Sequence, residues 1–188
     1  MNFKIYIIIL LIIILLFKKK KEHFSGKKQN SIKLNNTLKK ITQDIREYNI
    51  NDWFIAYGTL LGIVRNNSCI KGDDDIDIII NKTESNKLHK LIKDKGYKYD
   101  INKSIIRIKI NNNYTPIDFY TADKKNNNYK DLWEKVTWSN VNPIIKKKWN
   151  NINLNLPKNY ETKLENRYGK DWKTPRQWKG PKNKKKIL

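Results

Sequence analysis

At 188 residues the chain has room for one packed domain plus a leader, and a hydrophobic fraction of 38% with six Trp and ten Tyr supplies a core. Its formal net charge of +22 favours anionic partners such as nucleic acid, anionic lipid or phosphorylated substrates, although a composition rich in Lys, Asn and Ile also gives a merely solvated basic surface. A single cysteine, Cys69, excludes an intrachain disulfide and a cysteine-based zinc cluster, and is read as a packing residue.

Residues 5–17 form an unbroken apolar run with Lys4 before it and Lys18 to Lys21 after it. A spanning helix usually needs about 20 residues, so the run is short, but flanking lysines snorkel and lengthen a span. Residues 1–22 are expected to be a single-pass, uncleaved membrane anchor. A cleaved signal peptide is the alternative, although no small-residue cleavage site follows at once. The positive-inside rule places the lysine-rich flank, and the domain after it, in the cytoplasm. Residues 23–30 make a polar linker, residues 31–178 the domain, and residues 179–188 a basic tail.

Within the domain, Leu34, Leu38, Ile41, Ile45 and Tyr48 recur at helical spacing. Residues 53–57 predict a core strand, Gly58 a turn, and residues 59–65 a helix whose first amides offer an anion site. No GxxxxGK[ST] motif is present, which excludes a P-loop as the phosphate cradle. After a loop over residues 66–72, residues 76–80 predict a second strand, and residues 83–95 a helix stopped by Gly96. His89 on that helix is given no role. Residues 97–99 and 104–110 alternate as a hairpin, with Arg107 either binding phosphate or forming a rim charge. Residues 114–120 predict a further strand carrying Asp118 between Ile117 and Phe119, a costly place for an unpartnered charge. Residues 129–149 carry Trp133, Trp138 and Trp149 with little periodicity, and residues 161–168 predict a helix closed by Gly169.

The chemistry concentrates in Asp73, Asp74, Asp75 and Asp77, four carboxylates within residues 73–77 of a strongly basic chain. Like charges at this density repel unless a cation or strong solvation offsets them. On a strand Asp75 and Asp77 share a face, and two adjacent carboxylates suit a divalent cation that completes its shell with water and phosphate oxygens. A rival reading places Asp73, Asp75, Asp77, Asn81 and Glu84 at the first, third, fifth, ninth and twelfth positions of an EF-hand loop. Ile78 then stands where that loop needs Gly, and the isoleucines around it are strand-like.

Gly58-Thr59-Leu60-Leu61-Gly62, Arg65 and Asp73-Asp74-Asp75-Ile76-Asp77-Ile78 together resemble the LicD family of phosphocholine-transfer proteins, akin to fukutin and the fukutin-related protein. The run Leu156-Pro157, Tyr160, Leu164, Tyr168-Gly169-Lys170-Asp171-Trp172 and Pro175 resembles that family's C-terminal motif. Asn66-Asn67 and Lys71-Gly72 depart from the family pattern in the intervening loop.

The resemblance implies an α/β nucleotidyltransferase-like fold, a small mixed sheet flanked by helices. It implies a catalytic and metal-binding trio of Asp75, Asp77 and Asp118, with Asp123 and Asp131 as alternatives for the third acid, and Asp73 and Asp74 outside the trio supporting it. Gly58 and Thr59 would cradle phosphate, with Arg65 and Arg107 as candidate clamps. The implied cofactor is Mg²⁺, with Mn²⁺ as the substitute. The implied reaction moves a phosphate-linked group, phosphocholine or a polyol phosphate, from a CDP-linked donor to a glycan hydroxyl. Two alternatives stay open: a non-catalytic binder of anionic glycan, lipid or nucleic acid, and a nucleic-acid-associated protein, which the expected anchor disfavours.

Overall fold

The computed structural model describes residues 28–175 and Leu188; the apolar run of residues 5–17 and the lysines of residues 182–186 lie outside the described residues. Among the described residues no helix is long and apolar enough to cross a membrane.

Helix α1 (Ser31–Glu47) opens where the Asn30 side chain accepts the Lys33 N–H at 2.7 Å, satisfying one of the free amides of the first turn. Its Leu34, Leu38, Ile41 and Ile45 are fully buried on one face, as their spacing requires. Strand β1 (Trp53–Ile55) leads into α2 (Tyr57–Asn66), which ends at Asn67 in the left-handed conformation. Strand β2 (Ile76–Asn81) is buried along its whole length, and a short 3-10 turn (Lys82–Glu84) joins it to α3 (Ser85–Asp94). Then follow β3 (Lys98–Asn102), β4 (Ile105–Lys109), β5 (Ile117–Lys125), β6 (Asn128–Asp131) and β7 (Thr137–Trp138). The hairpin β8 (Ile145–Trp149) and β9 (Ile152–Leu156) precedes α4 (Tyr160–Tyr168).

The main sheet runs β1-β2-β5-β4-β3, with β6 on β5 and β7 on β6. Only β2 and β5 pair in parallel; the other strand pairs are antiparallel, so the sheet is mixed. A strand covered on both faces reads as a continuous apolar run, which explains the isoleucines of β2 and makes Asp77 conspicuous among them. The β8–β9 hairpin is a separate two-stranded sheet, tied to β1 by Asn155 Nδ2 donating to the Trp53 carbonyl at 2.9 Å. Helix α4 is fixed by Lys163, 3% exposed, whose Nζ donates to the Ser139 carbonyl; burial pushes this lysine down to about 8. Leu188 is buried and exchanges backbone hydrogen bonds with Thr137 and Ser139.

Several boundaries differ from expectation, each for a physical reason. The first strand stops at Ile55 and the helix begins at Tyr57, not Thr59, because the Ala56 N–H is taken by the Asp77 carbonyl at 3.1 Å and the chain turns there. Strand β5 begins at Ile117 and continues to Lys125, since β6 pairs with its far half. Strands β6 to β9 fall in a stretch without readable alternation: they are short, and β8 carries Lys146, Lys147 and Lys148 with only Trp149 buried. The EF-hand reading is excluded, because residues 76–81 are strand rather than loop.

Candidate active site

The parallel register of β2 and β5 sets Asp77 opposite Asp118. Neighbouring strands lie about 4.8 Å apart, so both side chains emerge side by side on one face. On the other side of β5, Arg107 of β4 stands opposite Asp118. Its guanidinium forks onto that carboxylate, with Nε 3.0 Å from each oxygen and Nη2 3.0 Å from Oδ2. Asp118 is 1% exposed, so this bidentate pair is what makes its burial tolerable. The edge-strand alternative for Asp118 is thereby excluded, and Arg107, itself only half-buried, takes neither of the roles open to it in the sequence but spends its fork on the buried Asp118.

Asp77 is bound from two sides. Its Oδ2 accepts the Gly58 N–H at 3.0 Å and its Oδ1 accepts the Tyr120 hydroxyl at 3.2 Å. Its own N–H donates to Thr59 Oγ1 at 2.9 Å, which fastens the first turn of α2 to β2. Thr59 is 2% exposed, with its hydroxyl turned to the strand. Gly58 lets the acids approach the backbone: a Cβ there would lie 2.4 Å from Asp73 Oδ2, displacing that carboxylate, and 3.4 Å from Asp77 Oδ2.

Asp73, Asp74 and Asp75 bring one carboxylate oxygen each to within 4.8 Å of one another. The acidic turn is held by the segment before α1, the Gln29 N–H donating to the Asp73 carbonyl and the Gly72 N–H to the Gln29 carbonyl, both at 2.9 Å. Asp73, Asp75 and Asp77 face a cleft of about 640 Å³, together with Gly58, Tyr57 and Tyr120. Arg65 and Arg167, with Tyr168 and Trp172 from the C-terminal motif, also line it, as do Lys28, Lys71 and Glu134.

Burial pushes Asp75 and Asp77 well above the usual carboxylate range, and neighbouring carboxylates add to it. Asp73 is pushed up to about 6, by burial and then by Asp74. Burial also raises Asp118, with Arg107 opposing. Tyr120, raised by burial and by Asp77, Asp118 and Asp75, keeps its proton and stays a donor. Cys69 is buried and pushed up to about 12, so its thiol is inert packing, as expected.

Among the described residues none of Asp73, Asp74, Asp75 or Asp77 forms an ion pair. A set of crowded, half-desolvated carboxylate oxygens without a cationic partner is the donor set that Mg²⁺ or Mn²⁺ takes. The residues present therefore fit a divalent cation.

Of the residues singled out in the sequence, Gly58, Arg65, Asp75 and Asp77 share the cleft wall, while Asp118 stands beside Asp77 on the next strand with Arg107 on its far side, and neither of these two is among the residues lining the cleft. Asp73 is on the cleft wall as well, not behind it. Asp131 is occupied elsewhere: it accepts the Tyr57 hydroxyl and the N–H groups of Trp133 and Glu134. Asp123 pairs with Lys82. Tyr57, Tyr120 and Arg167 were missed. Tyr120 had a signal, since it lies two residues beyond Asp118 on the same strand face. Arg167 had none beyond its place before Tyr168.

The family model described as LicD/FKTN/FKRP, nucleotidyltransferase domain, matches residues 50–179. No curated protein matches the chain. Among the solved structures that share its fold are two transferase-fold neighbours of similar size. One is the antibiotic-resistance factor ANT(2'')-Ia in solution, at 13% identity and a TM-score of 0.50, covering 68% of this chain. This chain spans 66% of that one, just under two thirds of its length. The other is the lincosamide antibiotic adenylyltransferase LnuA with lincomycin bound, at 13% identity and a TM-score of 0.52, covering 69% of this chain and 83% of that one. At such identity the likeness is one of fold.

Proposed function

Because the chain belongs to the LicD/FKTN/FKRP nucleotidyltransferase-domain family, we propose that it is a metal-dependent transferase that moves a phosphate-linked group from a CDP-activated donor to a glycan hydroxyl. The observation that carries this reading is the unneutralised carboxylate wall of one cleft, formed by Asp73, Asp75 and Asp77 beside the Gly58 turn.

In this reading Asp75 and Asp77 hold the cation, Mg²⁺ in the first instance. Asp118, fixed by the Arg107 fork, is the third ligand rather than a mobile base. A cation held by these carboxylates would supply charge neutralisation for the donor diphosphate and for CMP as leaving group. Tyr120 holds Asp77 in register through its hydroxyl. Gly58 lets the donor approach the backbone, and Arg65 at the cleft wall meets phosphate charge. The acceptor hydroxyl attacks phosphorus in line, its proton passes to the carboxylate cluster, and the bond to CMP breaks. Residues 1–22 tether the domain to a membrane in this proposal, on the strength of the apolar run over residues 5–17.

The test is a panel of CDP-choline, CDP-ribitol and CDP-glycerol offered to the full chain with glycan acceptors. Mg²⁺-dependent CMP release from at least one donor, abolished by EDTA, is expected. Folded protein that releases no CMP from any of them contradicts the reading and favours a non-catalytic binder.

A further inference from the structure

A guanidinium in the wall of the same cleft keeps one donor without a partner among the described residues. Arg167, near the end of α4, lines the same cleft as Asp73, Asp75 and Asp77. Its side chain is 16% exposed, and the nearest carboxylate paired with it, Glu134, is 4.0 Å away. Its Nε is buried and has no hydrogen-bond acceptor among the described residues. A buried donor left unmade is costly, and such a group calls for an explanation.

Its position is nevertheless fixed. The guanidinium lies 4.3 Å from the centre of the Tyr57 ring. Tyr57 is held in turn: its hydroxyl donates to Asp131, and its ring meets Trp138 edge-on at 5.3 Å. It also has a φ of 43°, a strained backbone conformation for a bulky residue. On the other side, the Tyr57 ring meets Tyr120 at 5.1 Å, and Tyr120 donates to Asp77. Two aromatic rings therefore separate Asp77 from a guanidinium that is held by Tyr57, Tyr168 and Glu134 and still keeps its Nε unpartnered among the described residues.

We infer that Arg167 is the guanidinium that grips the donor diphosphate, from the part of the cleft wall beyond Tyr57 and Tyr120 from the carboxylates. This rests on the transferase reading and revises its list of clamps, because of the two suggested by sequence Arg65 lines the cleft while Arg107 spends its fork on Asp118. Arg presents several donors in a rigid plane matched to phosphate oxygens, which Asp118 uses on one side of the sheet and a diphosphate would use here. The cation at the acids and the guanidinium beyond the two rings would then share the charge of one diphosphate.

The experiment is calorimetric titration of the full chain with CDP in the presence of Mg²⁺, for wild type, Arg167→Gln and Arg167→Lys, with the thermal midpoint of each recorded. Loss of about tenfold or more in affinity is expected for Arg167→Gln, and about threefold for Arg167→Lys, which keeps the charge and loses the fork. The salt dependence of CDP binding should flatten in Arg167→Gln alone. A merely structural arginine would lower the thermal midpoint and leave CDP binding intact, so wild-type affinity in either folded variant overturns the assignment. Wild-type protein that binds CDP but turns over no donor removes the transferase reading and leaves Arg167 as a diphosphate ligand. Wild-type protein that does not bind CDP overturns both.

Discussion

Replacing Asp77 by Asn should lower Mg²⁺-dependent CMP release by about a thousandfold, while raising the thermal midpoint of the metal-free protein by about 3 °C. The opposite signs follow from one geometry. Asn is isosteric, and its oxygen still accepts the Gly58 N–H while its amide nitrogen donates to the Tyr120 oxygen. What disappears is one of several carboxylates that burial and mutual repulsion push above their usual range. Without a cation that charge opposes folding; with one it is the ligand on which the chemistry rests. Steady-state CMP release and calorimetry on the same preparations check both halves. Activity above a tenth of wild type in Asp77→Asn would remove Asp77 from the site.

Gly62→Ala should destabilise the domain by about 3 kcal/mol, although alanine is the better helix former by about 1 kcal/mol. Gly62 lies inside α2, where a Cβ would sit 2.6 Å from the Ser68 carbonyl oxygen, 2.9 Å from the Ile70 nitrogen and 3.1 Å from the Cys69 Cα. All three are backbone atoms of the loop that leads to the acids. That loop cannot retreat easily. The Cys69 N–H donates to Asn35 Oδ1 at 2.8 Å, Asn35 Nδ2 donates to Ser68 Oγ at 2.9 Å, and Trp149 Nε1 donates to the Asn67 carbonyl at 2.8 Å. Chemical denaturation of wild type and variant measures the difference. A Gly62→Ala protein as stable as wild type would mean that the loop is free to move, and that the acidic turn is less firmly placed than these bonds indicate.

Local pattern exposed the acids and concealed their partners. Asp77 was readable because the run of isoleucines marks β2, whereas Asp75, expected on the same strand face, lies at the bend just before that strand begins at Ile76. Asp118 stood out because a carboxylate between Ile117 and Phe119 must have a partner. That the partner is Arg107, and that Asp118 faces Asp77, depends on the register between distant strands, which no local pattern encodes. The same limit hid Arg167: its role depends on α4 folding back over Tyr57. Thr59 shows the converse. Its place at a helix start suggests a phosphate contact, yet the helix begins two residues earlier and the hydroxyl is used by the Asp77 amide. The hairpin β8–β9 was invisible because three successive lysines break the alternation that strands usually show, leaving Trp149 as the one buried residue of β8 while Ile152, Leu154 and Leu156 anchor β9.

The central claim is that the carboxylates of residues 73–77 hold a divalent cation beside a bound nucleotide. Titrating Mn²⁺ into the full chain with CDP present, and following free Mn²⁺ by electron paramagnetic resonance, tests it most directly. The account predicts saturable binding at the wild-type site that is lost in Asp77→Asn and competed by Mg²⁺. Equal Mn²⁺ binding by wild type and Asp77→Asn, or none by either folded protein, would contradict it.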